Sequence, residues 1–287
     1  MKEADLILNP DGSVYHLKIR PEELPDLIIV SGDPARIAMI SDHFDNVEFR
    51  RQNREFVSHL GSLRGKRILA LSTGIGPDNI DIVMNELDAL ANINLETREI
   101  KPGHRELSIV RIGTSGTLHA DIPVGTQVIA SHGMGLDGSL HYYRKLAEVV
   151  DHDLTREFIR QTDWPAFLPM PYIIPGTPEL VKKLSAKGIL GITATAGGFY
   201  GPQGRLLRLR SSFPGMLDMM AKFSYKNHRI VNFEMETSSI YGLGNMLGHN
   251  VASICVLLAN RATGEYTRTI KEDEEKLISY VLEKLTT

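Results

Sequence analysis

The sequence is poor in cysteine, in net charge and in long apolar runs, and each shortage excludes a class of protein. A single cysteine rules out an intrachain disulfide. That residue, Cys255, lies in Ala252-Ser253-Ile254-Cys255-Val256-Leu257-Leu258, the setting of a buried strand position rather than a nucleophile. A formal charge of -3 supplies no general positive field, so neither a nucleic-acid backbone nor an anionic membrane is an expected partner. Any bound anion must be gripped by a local cluster. No unbroken apolar stretch is long enough to span a bilayer. Met1-Lys2-Glu3-Ala4-Asp5 carries acids where a signal peptide needs a basic segment followed by an apolar one. A cytoplasmic protein is the expectation.

Several motifs are missing as well. There is no Gly-x-x-x-x-Gly-Lys-Ser/Thr loop for a nucleoside triphosphate and no Gly-x-Gly-x-x-Gly turn with a partner acid for a dinucleotide. The ten histidines show neither His-Glu-x-x-His nor paired Cys/His spacing, and no Gly-x-Ser-x-Gly elbow occurs. No metal and no organic cofactor are therefore expected.

What is present is an ordinary globular balance, 42% hydrophobic and 23% charged, over 287 residues. Short apolar runs alternate with amphipathic stretches. Strands are predicted at 27–30, 68–71, 108–110, 127–130, 191–195, 229–233 and around Cys255, with a helix over 80–90. Leu277, Ile278, Val281, Leu282 and Leu285 recur at helical spacing with Glu and Lys between them, a surface helix on the core. This alternation predicts an α/β fold, a three-layer α/β/α sandwich around a central mixed sheet, in one domain spanning 1–287.

Two glycine-rich strand ends carry arginine. In Gly32-Asp33-Pro34-Ala35-Arg36, glycine permits close approach, Asp33 is a natural N-cap and Pro34 suits the first helical position. Free N–H groups at that helix start, with Arg36 one turn in, suit an anion. Arg111-Ile112-Gly113-Thr114-Ser115-Gly116 reads as a second such turn, and the two are expected to converge on free phosphate. Further on, Phe233-Glu234-Met235-Glu236 places two acids where a strand meets a helix. Two residues apart on a strand they share a face, and sugar hydroxyls are donors that suit such a pair. Glu236 taken alone also fits a helix N-terminus. The loop 197–205 offers Phe199 to stack, Gln203 to donate and accept, and Arg205 to donate, which suits a flat heterocycle. A plain glycine turn fits its composition equally.

Six motifs in order resemble the nucleoside phosphorylase family, over nearly the whole chain from Tyr15-His16-Leu17 to Asn260-Arg261. They are Gly-Asp-Pro-x-Arg, Arg-Glu-Phe, Ser-Thr-Gly-Ile-Gly, Arg-Ile-Gly-Thr-x-Gly, Phe-Tyr-x-x-Gln-x-Arg and Phe-Glu-Met-Glu. The resemblance implies phosphate binding by Gly32, Arg36, Arg111 and Thr114, with Arg54 supplied by a neighbouring subunit. It implies ribose contacts from His16 across the same interface and from Met235 and Glu236, beside which Glu234 is the second acid of the pair read above, and base contacts from Phe199, Gln203 and Arg205. Arg205, Gln203, Arg111 and Arg261, the last beside the base, are the implied catalytic residues.

The family's purine branch has a Ser-Asp pair after the late strand. Here the stretch reads Leu257-Leu258-Ala259-Asn260-Arg261, with no aspartate, which favours uracil over a purine. The expected reaction is phosphorolysis of uridine, with phosphate as co-substrate, in a homo-oligomer that is at least a dimer with shared sites. The alternatives are a purine or broad-specificity phosphorylase, a water-using nucleosidase, and a non-catalytic nucleoside-binding protein. The turn at Gly74-Ile75-Gly76-Pro77-Asp78 is shorter than the usual bacterial form and lacks its serine, while 94–105 and much of 136–175 are expanded. The family's usual assembly is accordingly not carried over.

Overall fold

The computed structural model describes all 287 residues. Its first half runs β1 (Leu27–Ser31), α1 (Pro34–Ser41), β2 (Asn46–Asn53), β3 (Phe56–Leu63), β4 (Lys66–Ser72), α2 (Pro77–Asn92), β5 (Ile93–Asn94), β6 (Glu99–Ile100), β7 (Ser108–Thr117) and β8 (Gln127–Gly135). There follow α3 (Leu146–Val149), α4 (His152–Thr162), β9 (Tyr172–Pro175), α5 (Pro178–Leu184), β10 (Ile189–Thr195), α6 (Met216–Lys222), β11 (Ser224–Tyr225), β12 (His228–Glu234), α7 (Thr237–Leu247), β13 (Asn250–Asn260) and α8 (Ile270–Thr286).

The central sheet is mixed, in the order β11-β12-β10-β8-β13-β7-β1-β4-β3-β2. Its apolar strands are buried on both faces, which explains their near-continuous hydrophobic runs. Alternation still sorts their side chains. Ile28, Val30, Leu69 and Leu71 join the core under α2 and α7. Ile29, Ile68 and Ala70 join the core under α1 and α8. The sheet also curls, because β12 pairs a second time, antiparallel to β7 through Asn232–Thr117 and Phe233–Gly116. Strands β7, β13, β8, β10 and β12 thereby close a ring, and α7 packs against it. Gly133 permits that approach, since a Cβ there would lie 2.7 Å from the Cα of Ser238 at the start of α7. No helix is long and apolar enough to cross a membrane.

One expectation fails. The stretch from Arg111 to Gly116 is not a turn but the interior of β7, which runs on to Thr117 paired with β13. Neither Gly113 nor Gly116 has positive φ. Their lack of a side chain serves packing: a Cβ on Gly113 would meet the Arg111 guanidinium, and one on Gly116 would meet Ala259 and Arg261.

An acid-sensitive point lies in β8. The His132 ring is 4.8 Å from that of His228, with Ser131 Oγ at 3.1 Å and an Asp151 oxygen at 3.9 Å. Burial, and secondarily His228, push its pKa down to about 4. The folded protein refuses a proton that the unfolded chain takes up once the pH falls below the ordinary histidine value of 6.5. Stability should therefore drop between about pH 6.5 and about pH 4, by roughly 3 kcal/mol at the bottom of that range. Urea titrations across this window should show the slope, and His132→Gln should flatten it; an unchanged slope in the variant would remove His132 as its source.

Candidate functional site

At the centre lies Arg111, 4% exposed, on β7. Its side chain runs forward over Gly113. One terminal nitrogen donates to Cys255 Sγ at 3.0 Å. The other donates to Glu236 Oε2 at 2.5 Å and lies 3.2 Å from Glu234 Oε2. Burial alone would weaken the guanidinium's hold on its proton, but Glu234 and Glu236 outweigh it and keep the group firmly charged.

The two acids have different duties. Glu234 ends β12, and both its oxygens are engaged inside the chain. They accept from the Thr195 hydroxyl at 2.6 Å, from Glu236 N at 3.0 Å and from Thr237 N at 2.9 and 3.1 Å. The Thr195 hydroxyl in turn accepts from Ser238 N at 2.9 Å. Glu234 and Thr195 thus satisfy the free N–H groups that open α7. Glu234, expected beside a sugar, is instead occupied as the cap of this helix.

Glu236 is the N-cap residue of α7, not a strand neighbour of Glu234 on a shared face; the two come together around Arg111 because the chain turns between them. Glu236 Oε1 accepts from Gly76 N at 2.9 Å. Gly76 has φ +101°, a conformation that favours glycine and that turns this N–H toward the acid. Each Glu236 oxygen makes one such bond, which leaves a lone pair on each. Burial pushes its carboxyl upward while Arg111 pulls it down. Met235 is half-buried between the two acids, and Thr114 is half-buried on β7.

The first arginine turn forms as its sequence suggests. Asp33 accepts from Ala35 N at 2.9 Å, Pro34 opens α1, and Gly32 packs against Gly74. Arg36 is buried beside β7, donating to Ser31 Oγ at 2.6 Å and to Glu274 Oε1 at 2.5 Å, with its Ser31-bound nitrogen 3.4 Å from the carbonyl oxygen of Ile112, the neighbour of Arg111 in the chain. The Nε–H groups of both Arg36 and Arg111 are buried without an acceptor.

The loop between β10 and α6 gathers its expected residues. Gln203 is buried on a short 3-10 turn, Gly201–Gln203, and Arg205 donates to its Oε1 and to Phe199 O. The Arg205 guanidinium covers one face of the half-exposed Phe199 ring, 3.8 Å from its centroid. Arg261, expected beside the base, fastens this loop by donating to Gln203 O at 3.1 Å. Burial, then the nearby Arg261, lowers the Arg205 pKa, and burial lowers that of Arg261.

His16 and Arg54 form a third group. His16 Nδ1 pairs with Glu86 Oε1 at 2.6 Å, and Asn53 donates to His16 O at 2.7 Å. Arg54 occupies the exposed tip of the β2–β3 hairpin at φ 54°, 5.8 Å from the Tyr15 ring centroid.

Sequence reasoning passed over Glu86, Glu274 and the contact of Cys255 with Arg111. The acids sit on helices α2 and α8, where an isolated Glu looks like a solvated face, and no local pattern reports a partner 70 or 238 positions away.

The profile of the phosphorylase superfamily matches residues 26–285. The uridine phosphorylase of Haemophilus influenzae is 30% identical over 282 residues, covering 94% of this chain and 96% of its own. That of Thermococcus kodakarensis is 28% identical over 271 residues, covering 94% and 85%. Among solved structures, a nucleoside phosphorylase of Trypanosoma brucei, described as showing uridine phosphorylase activity, superposes with a TM-score of 0.89 at 29% identity, covering 98% of this chain and 99% of that one.

The Gly113 contact yields a test. A Cβ there would sit 2.0 Å from the Arg111 terminal nitrogen, the movable end of a side chain. Gly113→Ala should fold, with a loss of about 1–3 kcal/mol, while pushing Arg111 off Glu236. Turnover should fall far more than the melting temperature suggests. Full activity in a folded variant would show that the Arg111–Glu236 contact is dispensable.

Proposed function

Because this chain belongs to the phosphorylase superfamily, we propose that it cleaves uridine with inorganic phosphate, giving uracil and α-ribose 1-phosphate. The observation that carries this reading is the contact of Arg111 with Glu236 at 2.5 Å. It sets a buried cation beside an acceptor that keeps one lone pair on each oxygen. An anion and a sugar diol are the two ligands that such neighbours suit together.

In this reading phosphate lies between the Gly32 turn, Arg36, Thr114 and Arg111, with the ribose hydroxyls on Glu236 and the sugar against Met235. A phosphate oxygen forms the new bond to C1′ from the face opposite the base. The C1′–N1 bond breaks, and its electron pair leaves with uracil. Arg205 and the Gln203 amide are donors for the negative charge that builds on the ring, a role worth about 2.7–4 kcal/mol for one well-placed donor. Holding both reactants in line contributes more, up to about 7–11 kcal/mol. Cytosine has no N3–H and would turn an amino group toward arginine donors. A purine gains no acid from Asn260, whose side chain is spent on His119 O, Ile122 O and the N–H groups of Ala262 and Thr263.

Charge favours a shared site. Arg36 and Arg111 are matched by Glu234, Glu236 and Glu274, two positive charges against three negative. A phosphate dianion needs a further cation, and the exposed Arg54 carries no carboxylate partner of its own. We therefore place Arg54 and His16 in the site of a neighbouring subunit, in a homo-oligomer. We read the whole chain, 1–287, as one domain, since the segment before β1 bonds to α2 through Leu17 N and Glu86 and α8 shares its core with α1.

Uracil release from uridine should require phosphate, and inosine should be cleaved far more slowly. Release without phosphate would make the protein a hydrolase, equal use of inosine would make it a broad phosphorylase, and no release would leave a binding protein. The shared site has its own assay. Arg54→Ala and Glu236→Gln should each be nearly inactive alone, yet unfolding and refolding them together should restore about a quarter of wild-type turnover in a dimer, one intact site in every mixed pair. A mixture as inactive as its parts would confine the site to one chain.

A further inference from the structure

From the buried contact between the first and last helices we infer that Glu274 is a positioning residue for phosphate, acting through Arg36. The inference rests on the phosphorolysis reading above.

Arg36 belongs to the first turn of α1, directly after the Gly32 turn, and is 6% exposed. A buried guanidinium can be aimed only by what it touches. Here one terminal nitrogen donates to Ser31 Oγ at 2.6 Å and lies 3.4 Å from Ile112 O, and the other donates to Glu274 Oε1 at 2.5 Å. Its Nε–H is left over, buried and without an acceptor. Ser31 and Ile112 are fixed by strands β1 and β7. Glu274 is the one charged partner, and it comes from α8.

Glu274 is 8% exposed and sits one turn into α8. Leu277, Ile278, Val281, Leu282 and Leu285 anchor that helix in the core shared with Ile37 and Ile40 of α1. The carboxylate is thus held rigidly by packing, and it holds the guanidinium in turn. Its charged link to the site is this pair, between positions 238 apart in the chain.

The position of the oxygen matters here, more than its charge. An additional negative charge works against phosphate, so a purely electrostatic role would make Glu274 harmful. A positioning role makes it necessary, because Arg36 without it can swing along the α8 face and withdraw from the Gly32 turn.

Two substitutions separate these cases, and neither empties the site. Glu274→Gln keeps the reach of the oxygen and removes the charge; Glu274→Asp keeps the charge and shortens the reach. Wild type is assayed first for phosphate-dependent cleavage of uridine, and its absence would defeat the phosphorolysis reading itself. Given that activity, Glu274→Asp should raise the KM for phosphate about tenfold or more, with the KM for uridine within about threefold of wild type. Glu274→Gln should leave both within about threefold. The inference is overturned if the pattern reverses, so that Gln alone shifts the phosphate KM. It is equally overturned if both folded variants keep a normal phosphate KM, or if losses fall alike on phosphate and uridine, as a merely structural role would give.

Discussion

Arg111 lies almost out of reach of water between Glu234 and Glu236, and the arrangement of the surrounding elements follows from keeping these three charges compensated. A buried ion cluster repays its desolvation only when nearly every donor and acceptor is matched, and removing one member costs about 3–5 kcal/mol. The matching is visible. Thr195, Gly76 and the opening N–H groups of α7 surround the two acids, and Cys255 takes the second terminal nitrogen of the arginine, leaving its Nε as the one guanidinium nitrogen without a partner. Strand β7 carries glycine at 113 because the guanidinium lies where a side chain would be. The turn at Gly76 aims its N–H at Glu236. Five separate segments of chain are committed to one charge cluster.

That commitment divides labour between two similar residues. Glu234 and Glu236 are two positions apart and equally buried, yet one caps a helix and the other keeps lone pairs to spare. The cap holds the start of α7, and α7 presents Glu236. Structure and chemistry are therefore coupled at the level of single hydrogen bonds. Arg36 shows the same principle beside β7, where Glu274 holds it from the last helix. The chain's own charges around the two arginines are balanced toward the negative.

The loop between β10 and α6 follows a different logic. Phe199 is half-exposed, and Gln203 is buried under Arg205 and Arg261. Here a stack of arginine on an exposed phenylalanine covers a buried amide, so the loop combines a flat open face with a fixed polar group.

Local periodicity determined most of the framework. The strand runs at 27–30, 68–71, 127–130 and 229–233, the Asp33-Pro34 helix start and the apolar spacing of the last helix all encode neighbours a few residues apart, and all form. The same reasoning misread Arg111 to Gly116 as a turn, since two glycines in a row of six look like chain reversal when the space they vacate is filled by a side chain of their own strand. Six ordered motifs also pointed to the family, because each is a short string. What the string could not hold was which arginine meets which acid. Arg111 with Glu236, His16 with Glu86 and Arg36 with Glu274 are joined across 125, 70 and 238 positions. Those pairings arise only when the sheet curls and the helices pack, for a charge buried in the core must take whatever partner the folded chain brings within reach.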